Sequence, residues 1–158
     1  MAQEESIRQE LMKHFKYPED KVRVQREKRI FAEVAYGHFF KVLEFAIQEL
    51  HFVILCALTG LDEGEHLSFI YHLAQEKGLV LSLKISVPKN NPVIQSVTSY
   101  FPAAMIYERE VMDLLGVKEE NIPEGPRYPL PDDWPTDQFP LRKDWSPHSG
   151  APKEKHHA

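Results

Sequence analysis

Leu79-Val80-Leu81-Ser82-Leu83-Lys84-Ile85-Ser86-Val87 sorts into two faces. Leu79, Leu81, Leu83, Ile85 and Val87 fall on one, and Val80, Ser82, Lys84 and Ser86 on the other. A strand turns successive side chains to opposite sides, so this pattern predicts a strand with one buried face. Gly78 turns the chain just before it. Upstream, His66 to Ala74 reads as a strand after a Leu61-Asp62-Glu63-Gly64 turn. Phe52 to Leu58 is apolar on both faces, as in a central strand. Together these runs predict an antiparallel meander with one face toward a core. Further upstream, Phe39, Val42, Leu43, Ala46, Ile47 and Leu50 recur at three and four residues, the period of an amphipathic helix starting near Gly37. Val22 and Val24, then Ile30, Ala32 and Val34, read as strands around a charged Gln25–Arg29 turn. Ile7, Leu11, His14 and Phe15 predict an N-terminal helix that Pro18 ends.

Downstream, Pro88, Pro92 and Pro102 punctuate the exit from the meander. A third helix is expected from about Ala103 to Leu115, with Gly116 placed to end it. The fold class is therefore α+β, a mostly antiparallel sheet packed with helices. Residues 1–116 form that domain. The stretch that follows holds eight of the twelve prolines and both tryptophans, so neither a helix nor a central strand is expected there. Tyr128, Trp134, Phe139 and Trp145 are too large and apolar for a solvated tail. Residues 117–150 read as an extended, proline-rich C-terminal arm that lies on a partner, and residues 151–158 as a disordered tail.

Bulk properties narrow the function. The chain of 158 residues fits one domain, 42% hydrophobic and 27% charged as in ordinary globular proteins. A net charge of −5 argues against nucleic acid, whose binders carry a basic footprint. No apolar run approaches the ~20 residues of a membrane span. The acidic start, Met1-Ala2-Gln3-Glu4-Glu5-Ser6, is unlike a signal peptide. A cytoplasmic protein is expected, with membrane association only through a partner. The single cysteine, Cys56, permits no internal disulfide, and iron–sulfur clusters usually need four thiolates. Its apolar surroundings predict core packing.

The chemistry-bearing residues form no familiar motif. There is no glycine-rich phosphate loop, nucleophile elbow or zinc-protease motif. His66 and His72 share a strand face, with His51 and His38 as possible neighbours, yet a metal needs three or four converging ligands. His156-His157 belongs to the tail. Asp132/Asp133 suits a turn. On a helical projection, Arg109, Glu110 and Asp113 take the polar side. Tyr107, Val111, Met112, Leu114 and Leu115 take the other, and Glu108 falls among them. A carboxylate there is costly unless matched. Two readings stand: the helix end is wet, or an arginine, in one version on a partner, meets Glu108. Arg109 and Asp113 have the spacing of an intrahelical pair.

Pro92-Val93-Ile94-Gln95-Ser96-Val97-Thr98, Phe101-Pro102-Ala103-Ala104 and Tyr107-Glu108-Arg109-Glu110-Val111-Met112-Asp113-Leu114-Leu115-Gly116 occur in this order. Pro131-Asp132-Asp133-Trp134-Pro135 and Phe139-Pro140-Leu141-Arg142-Lys143-Asp144 follow. From about residue 30 to 145 the chain resembles the 30 kDa subunit family of respiratory complex I, the NADH dehydrogenase of the respiratory chain. That family includes the equivalent subunits of membrane-bound [NiFe] hydrogenases and formate hydrogenlyases. The resemblance implies a cofactor-free, non-catalytic subunit of the peripheral arm, on the cytoplasmic face. It would pack on the catalytic large subunit, nickel–iron or quinone-site, near iron–sulfur subunits. Tyr107, Glu108, Arg109, Glu110 and Asp113 would form a recognition helix. Trp134, Pro140, Leu141, Arg142, Lys143 and Asp144 would belong to an arm that wraps the large subunit.

The sequence departs from the respiratory pattern in two places. Leu115 stands where a phenylalanine usually precedes the glycine. Ile122-Pro123-Glu124-Gly125-Pro126-Arg127-Tyr128 replaces a glycine–histidine–proline segment. The hydrogenase branch is favoured, with the 30 kDa subunit of complex I itself as the alternative. A free-standing small-ligand or metal-binding protein, using the histidine-bearing sheet face or the Glu108/Glu110 helix, is the competing reading.

Overall fold

A computed structural model of the chain describes residues 2–147; the expected tail, with His156 and His157, lies outside the described residues. The elements follow in the order α1 (Ala2–Phe15), β1 (Val22–Arg26), β2 (Arg29–Glu33), a 3-10 turn (Tyr36–His38), α2 (Phe39–Gln48), β3 (Ile54–Asp62), β4 (His66–Ala74), β5 (Val80–Pro88), β6 (Val93–Gln95), α3 (Ala104–Leu115) and β7 (Lys118–Glu120). Five strands form one sheet in the order β1-β2-β5-β4-β3, and β6 and β7 form a second. β1 and β2 pair antiparallel around their turn, and β2 runs parallel to β5. A parallel pair needs a long connection, supplied here by α2 and the β3–β4 hairpin.

Two compact units emerge. The first comprises residues up to Gly60 with Ser68–Val87, and the second Leu61–Leu67 with the chain from Pro88 onward. In the first unit the alternation of β5 is realised: Leu79, Leu81, Leu83, Ile85 and Val87 are all buried. Phe69, Tyr71 and Leu73 of β4 are buried as well. α2 covers them, with the ring of Phe39 4.7 Å from that of Tyr71. α1 leans on α2 through His14, stacked 4.3 Å from Phe45. Ile7 and Leu11 are buried on its inner side.

One strand departs from expectation. The Phe52–Leu58 run is not central. β3 lies at the edge of the sheet, and most of its residues are exposed or half-buried. Cys56 is exposed and does not pack in the core. An all-apolar run shows which side chains favour burial. It does not show whether this chain supplies a cover for them. Among the described residues, no helix is long and apolar enough to cross a membrane.

Leu83 makes no exposed surface and sits mid-strand. Replacing it with alanine should destabilise the fold by about 2–5 kcal/mol, through lost burial and the cavity left behind. Urea unfolding should show this as a lower midpoint with an unchanged slope. A smaller change would mean that β5 does not carry the core.

Candidate functional site

The residues singled out by sequence, from Tyr107 to Asp144, all fall in the second unit. Helix α3 starts after Pro102 and ends at Gly116. This glycine has φ +69° and donates its N–H to the Met112 carbonyl. Ala104, Glu108, Val111 and Leu115 are the buried stripe. Glu108 is thus on the inward face, as its helical position required, and has no exposed surface.

Glu108 is not at a wet helix end, since it has no exposed surface, and its donors within the chain are not arginines. Oε1 accepts the Val97 N–H at 2.7 Å and Oε2 accepts the Ser96 hydroxyl at 2.7 Å. Burial pushes its pKa up, and these two donors oppose the shift. Ser96 also lies 2.7 Å from the Thr98 hydroxyl, so a short polar chain braces the loop before α3.

A second carboxyl group, missed by the sequence reading, lies close by. β7 runs parallel to β6, with Ile94 opposite Glu119. The exposed-buried-exposed pattern of β7 turns Glu119 inward. It is 8% exposed, and neither oxygen has a hydrogen-bond partner among the described residues. Burial, and then the charge of Glu108, push its pKa up to about 9. At neutral pH Glu119 therefore carries a proton, which spares the site a second negative charge beside Glu108. Nothing in the Lys118-Glu119-Glu120 run distinguishes the middle acid except strand period.

The polar side of α3 is also used within the chain. Asp113 does not pair with Arg109. It accepts Arg127 Nε at 2.7 Å and the Leu130 N–H at 3.1 Å. Arg109 reaches the Pro123 carbonyl at 3.0 Å. Its guanidinium lies in the space a Cβ at Gly125 would take, so a larger residue there would have to displace the Arg109 side chain.

The arm then folds back. Leu141 N–H bonds to the Leu114 carbonyl at 3.0 Å. Arg142 Nε bonds to the Leu115 carbonyl at 2.7 Å, and its guanidinium lies 4.8 Å from the Phe139 ring centre. It thereby caps the α3 C-terminus, where unsatisfied carbonyls and the helix dipole favour a cation. Gln138 accepts hydrogen bonds from both indoles, Trp134 at its backbone oxygen (2.9 Å) and Trp145 at its side chain (2.8 Å). The Lys143 N–H donates to Asp62 Oδ2 at 2.8 Å, and Lys89 Nζ bridges Asp62 at 2.8 Å and Asp144 at 3.1 Å. Burial alone would raise the Asp62 pKa. Lys89, with the Lys143 and Gly64 N–H groups, outweighs it and holds the carboxyl at about 2.

The expected arm, as far as residue 147, therefore lies on its own chain. Glu108, Arg109, Asp113 and Arg142 have internal partners. Among charged neighbours, three large apolar side chains face outward: Ile106 is 54% exposed, Tyr128 47% and Leu141 55%. Of these, sequence reasoning named only Leu141 as a site residue. Ile106 was passed over, although its place opposite the Ala104–Glu108 stripe was a usable signal. Tyr107 and Glu110 are half-buried, as are Trp134 and Pro140. A cleft of about 540 Å³ is lined by Gly64, Glu65, His66, Pro88, Lys89, Asn90, Arg142 and Asp144. Its two cations are already engaged with Asp62, Asp144 and the helix carbonyls.

The histidine-bearing sheet face is likewise accounted for. His72 Nδ1 lies 2.9 Å from the Ser82 hydroxyl and Nε2 3.1 Å from that of Thr59. Burial lowers its pKa, so the neutral ring is favoured. Among the described residues, no three His, Cys, Asp or Glu side chains converge.

Comparison with known proteins agrees with this architecture. The profile described as "Respiratory-chain NADH dehydrogenase, 30 Kd subunit" matches residues 32–150. A subunit of the F(420)H(2) dehydrogenase of Methanosarcina mazei is 36% identical over 135 residues, covering 82% of this chain and 85% of that protein. The membrane-bound hydrogenase subunit beta of Pyrococcus furiosus is 27% identical over 165 residues, covering 98% and 91%. A chain in the membrane-bound sulfane sulfur reductase, an archaeal respiratory membrane complex, superposes with a TM-score of 0.78 at 26% identity, covering 90% of this chain and 85% of that one.

Two outcomes are expected here. The folded state holds the Glu119 proton far more tightly than the unfolded chain, whose glutamate titrates near 4.5. Stability from this group is greatest below pH ~4.5 and is lost as pH rises toward ~9. Glu119→Gln, which cannot ionise, should therefore gain on wild type by on the order of 4 kcal/mol between pH 5 and pH 8. Chemical denaturation at the two values reads this, and an equal difference at both would refute the buried acid. Separately, Asp62→Ala should speed hydrogen exchange of the Lys143 amide about tenfold, because its charged acceptor is gone. Unchanged exchange would mean that Asp62 does not hold the arm.

Proposed function

Because the chain belongs to the 30 kDa subunit family of respiratory-chain NADH dehydrogenase and is a subunit of an oxidoreductase complex, we propose that it is a cofactor-free, non-catalytic structural subunit. In this reading it sits in the peripheral arm of a proton-linked membrane redox complex of the membrane-bound hydrogenase type, on the cytoplasmic face. It docks there on the catalytic large subunit, with iron–sulfur subunits nearby.

The observation that carries this reading is the outward exposure of Ile106, Tyr128 and Leu141, on a unit where Glu108, Arg109, Asp113 and Arg142 are engaged within the chain. Such residues are suited to a protein interface, whose buried centre is depleted of charge and rich in aromatic side chains. The sequence-derived recognition residues take a changed part. Tyr107, Glu110, Trp134, Pro140, Leu141, Lys143 and Asp144 remain candidates for contact. Glu108, Arg109, Asp113 and Arg142 act indirectly, by fixing the surface that is presented.

Leu115 before Gly116, the segment from Ile122 to Tyr128, and Asp132-Asp133-Trp134-Pro135 support the hydrogenase branch. So does the near full-length match to the Pyrococcus furiosus protein. The 30 kDa subunit of NADH:quinone oxidoreductase is the second reading, favoured by the family description itself.

Affinity purification from native membranes, with this chain as bait, tests the proposal. A nickel–iron large subunit with iron–sulfur proteins is the expected catch. A quinone-site subunit would move the chain to the complex I branch, and a chain that emerges alone would refute the subunit reading. Ile106→Asp or Leu141→Asp should cut recovery of the large subunit about tenfold or more, with the circular dichroism of the isolated variant unchanged. Undiminished recovery would place the interface elsewhere.

A further inference from the structure

The two edges of the five-stranded sheet are guarded very differently. β1 is five residues long, carries Arg23 and Arg26, and breaks register between Val24 and Arg26. Short length, cationic side chains and an irregular ladder are the ordinary devices that stop a sheet from adding another strand. β3 is neither short nor cationic. It runs for nine residues, and from Phe52 to Leu61 the chain contains no charged residue and no proline. The sheet order ends at β3, so no described strand lies beyond it. Val53 is 49% exposed and Ile54 43%.

Both faces of this edge show apolar side chains. Strand alternation puts Ile54 and Cys56 on the same side as buried Leu58, the side that α2 covers further in. Cover therefore stops short of the edge, and apolar side chains are left showing on the core side. The other side is apolar too, with Val53 and Leu61 exposed; Thr59 is its one polar residue, bonded to His72, which in turn meets Ser82.

We propose that the outer edge of β3 accepts an extended segment of a partner subunit as a sixth strand. The pattern of the edge describes that segment. Opposite an uncharged strand it carries no charge at the pairing positions. It is apolar on both sides, and tolerates a hydroxyl or amide side chain beside Thr59. Main-chain hydrogen bonds would give the affinity, and alternate side chains the choice of partner. The inference rests on the chain having partner subunits, and it concerns Ile54 to Gly60 of β3, which belong to the first unit.

Cys56, the sole and exposed cysteine, provides the probe. The complex is purified through a tag on this chain, and thiol alkylation and amide hydrogen exchange are compared with those of the isolated full chain. Cys56 should alkylate about tenfold more slowly in the complex, and the amides of β3 should exchange about tenfold more slowly. Ile54→Lys should lower recovery of the partner about tenfold, while Ile54→Thr, uncharged and β-branched, should restore it. Alkylation at the same rate in an intact complex overturns the proposal. Protection of Cys56 without slowing of the β3 amides also overturns it, because a cover of side chains is not a strand. An isolated chain that sediments as a dimer with Cys56 already protected reassigns the edge to a second copy. A wild-type chain that recovers no partner at all is a different result, and sinks the subunit reading itself.

Discussion

The α3 C-terminus sets the requirement that organises the second unit. A helix leaves its last carbonyls without intrahelical donors, and they must find partners. Here the partners come from 27 residues further along the chain. Leu141 supplies a backbone N–H to Leu114, and Arg142 supplies its guanidinium to Leu115. For that to happen the chain must return, and the return needs a close approach. Gly116 provides it, since a Cβ there would lie 2.5 Å from the Phe139 ring. The same residue needs a positive φ to end the helix. One glycine thus meets two demands that no other residue meets together. The arm is held at its far end by Asp62, which collects the Lys143 N–H and the Lys89 ammonium.

Polar groups inside this unit follow the same logic with one exception. Glu108 and Asp113 each receive two donors from within the chain. Glu119 receives none among the described residues, and is instead kept neutral by its proton. A neutral acid costs less to bury than a charged one, but it still leaves a donor and an acceptor unmatched. The strand pair β6–β7 therefore holds one unfavourable side chain against an otherwise satisfied helix. Local hydrogen bonding around Ser96 and Thr98 offsets part of that cost.

The legible parts of this fold were those with a period. The alternation of β5 and the helical spacing of α2 and α3 are set by backbone geometry, so residue order alone exposes them, down to the inward place of Glu108. What remained hidden was what lies opposite each residue. Ser96 and Val97 are eleven or twelve positions from Glu108, and Arg127 is fourteen from Asp113. No local rule pairs them, so the nearer Arg109–Asp113 spacing was a natural but mistaken choice. β3 failed for a related reason. Apolar content on both faces suits a central strand, yet the same content on an edge differs only in what covers it. The resemblance to the 30 kDa family supplied what periodicity lacked, because it rests on ordered motifs in α3 and the arm.

The folded arm also changes the energetics of the proposed docking. An extended, proline-rich arm that ordered only on its partner would lose conformational freedom at that moment, and affinity would fall accordingly. In this chain the arm is ordered by internal contacts: the Arg142 cap, the Asp62 anchor and the Gln138 bridge between two indoles. Much of that entropy is then lost on folding, before any partner arrives. Docking through Ile106, Tyr128 and Leu141 would then present a surface already formed on this chain. The charged motif residues gain a physical role from this. They need not touch a partner subunit to matter for assembly, because they fix the shape of the surface proposed to do so.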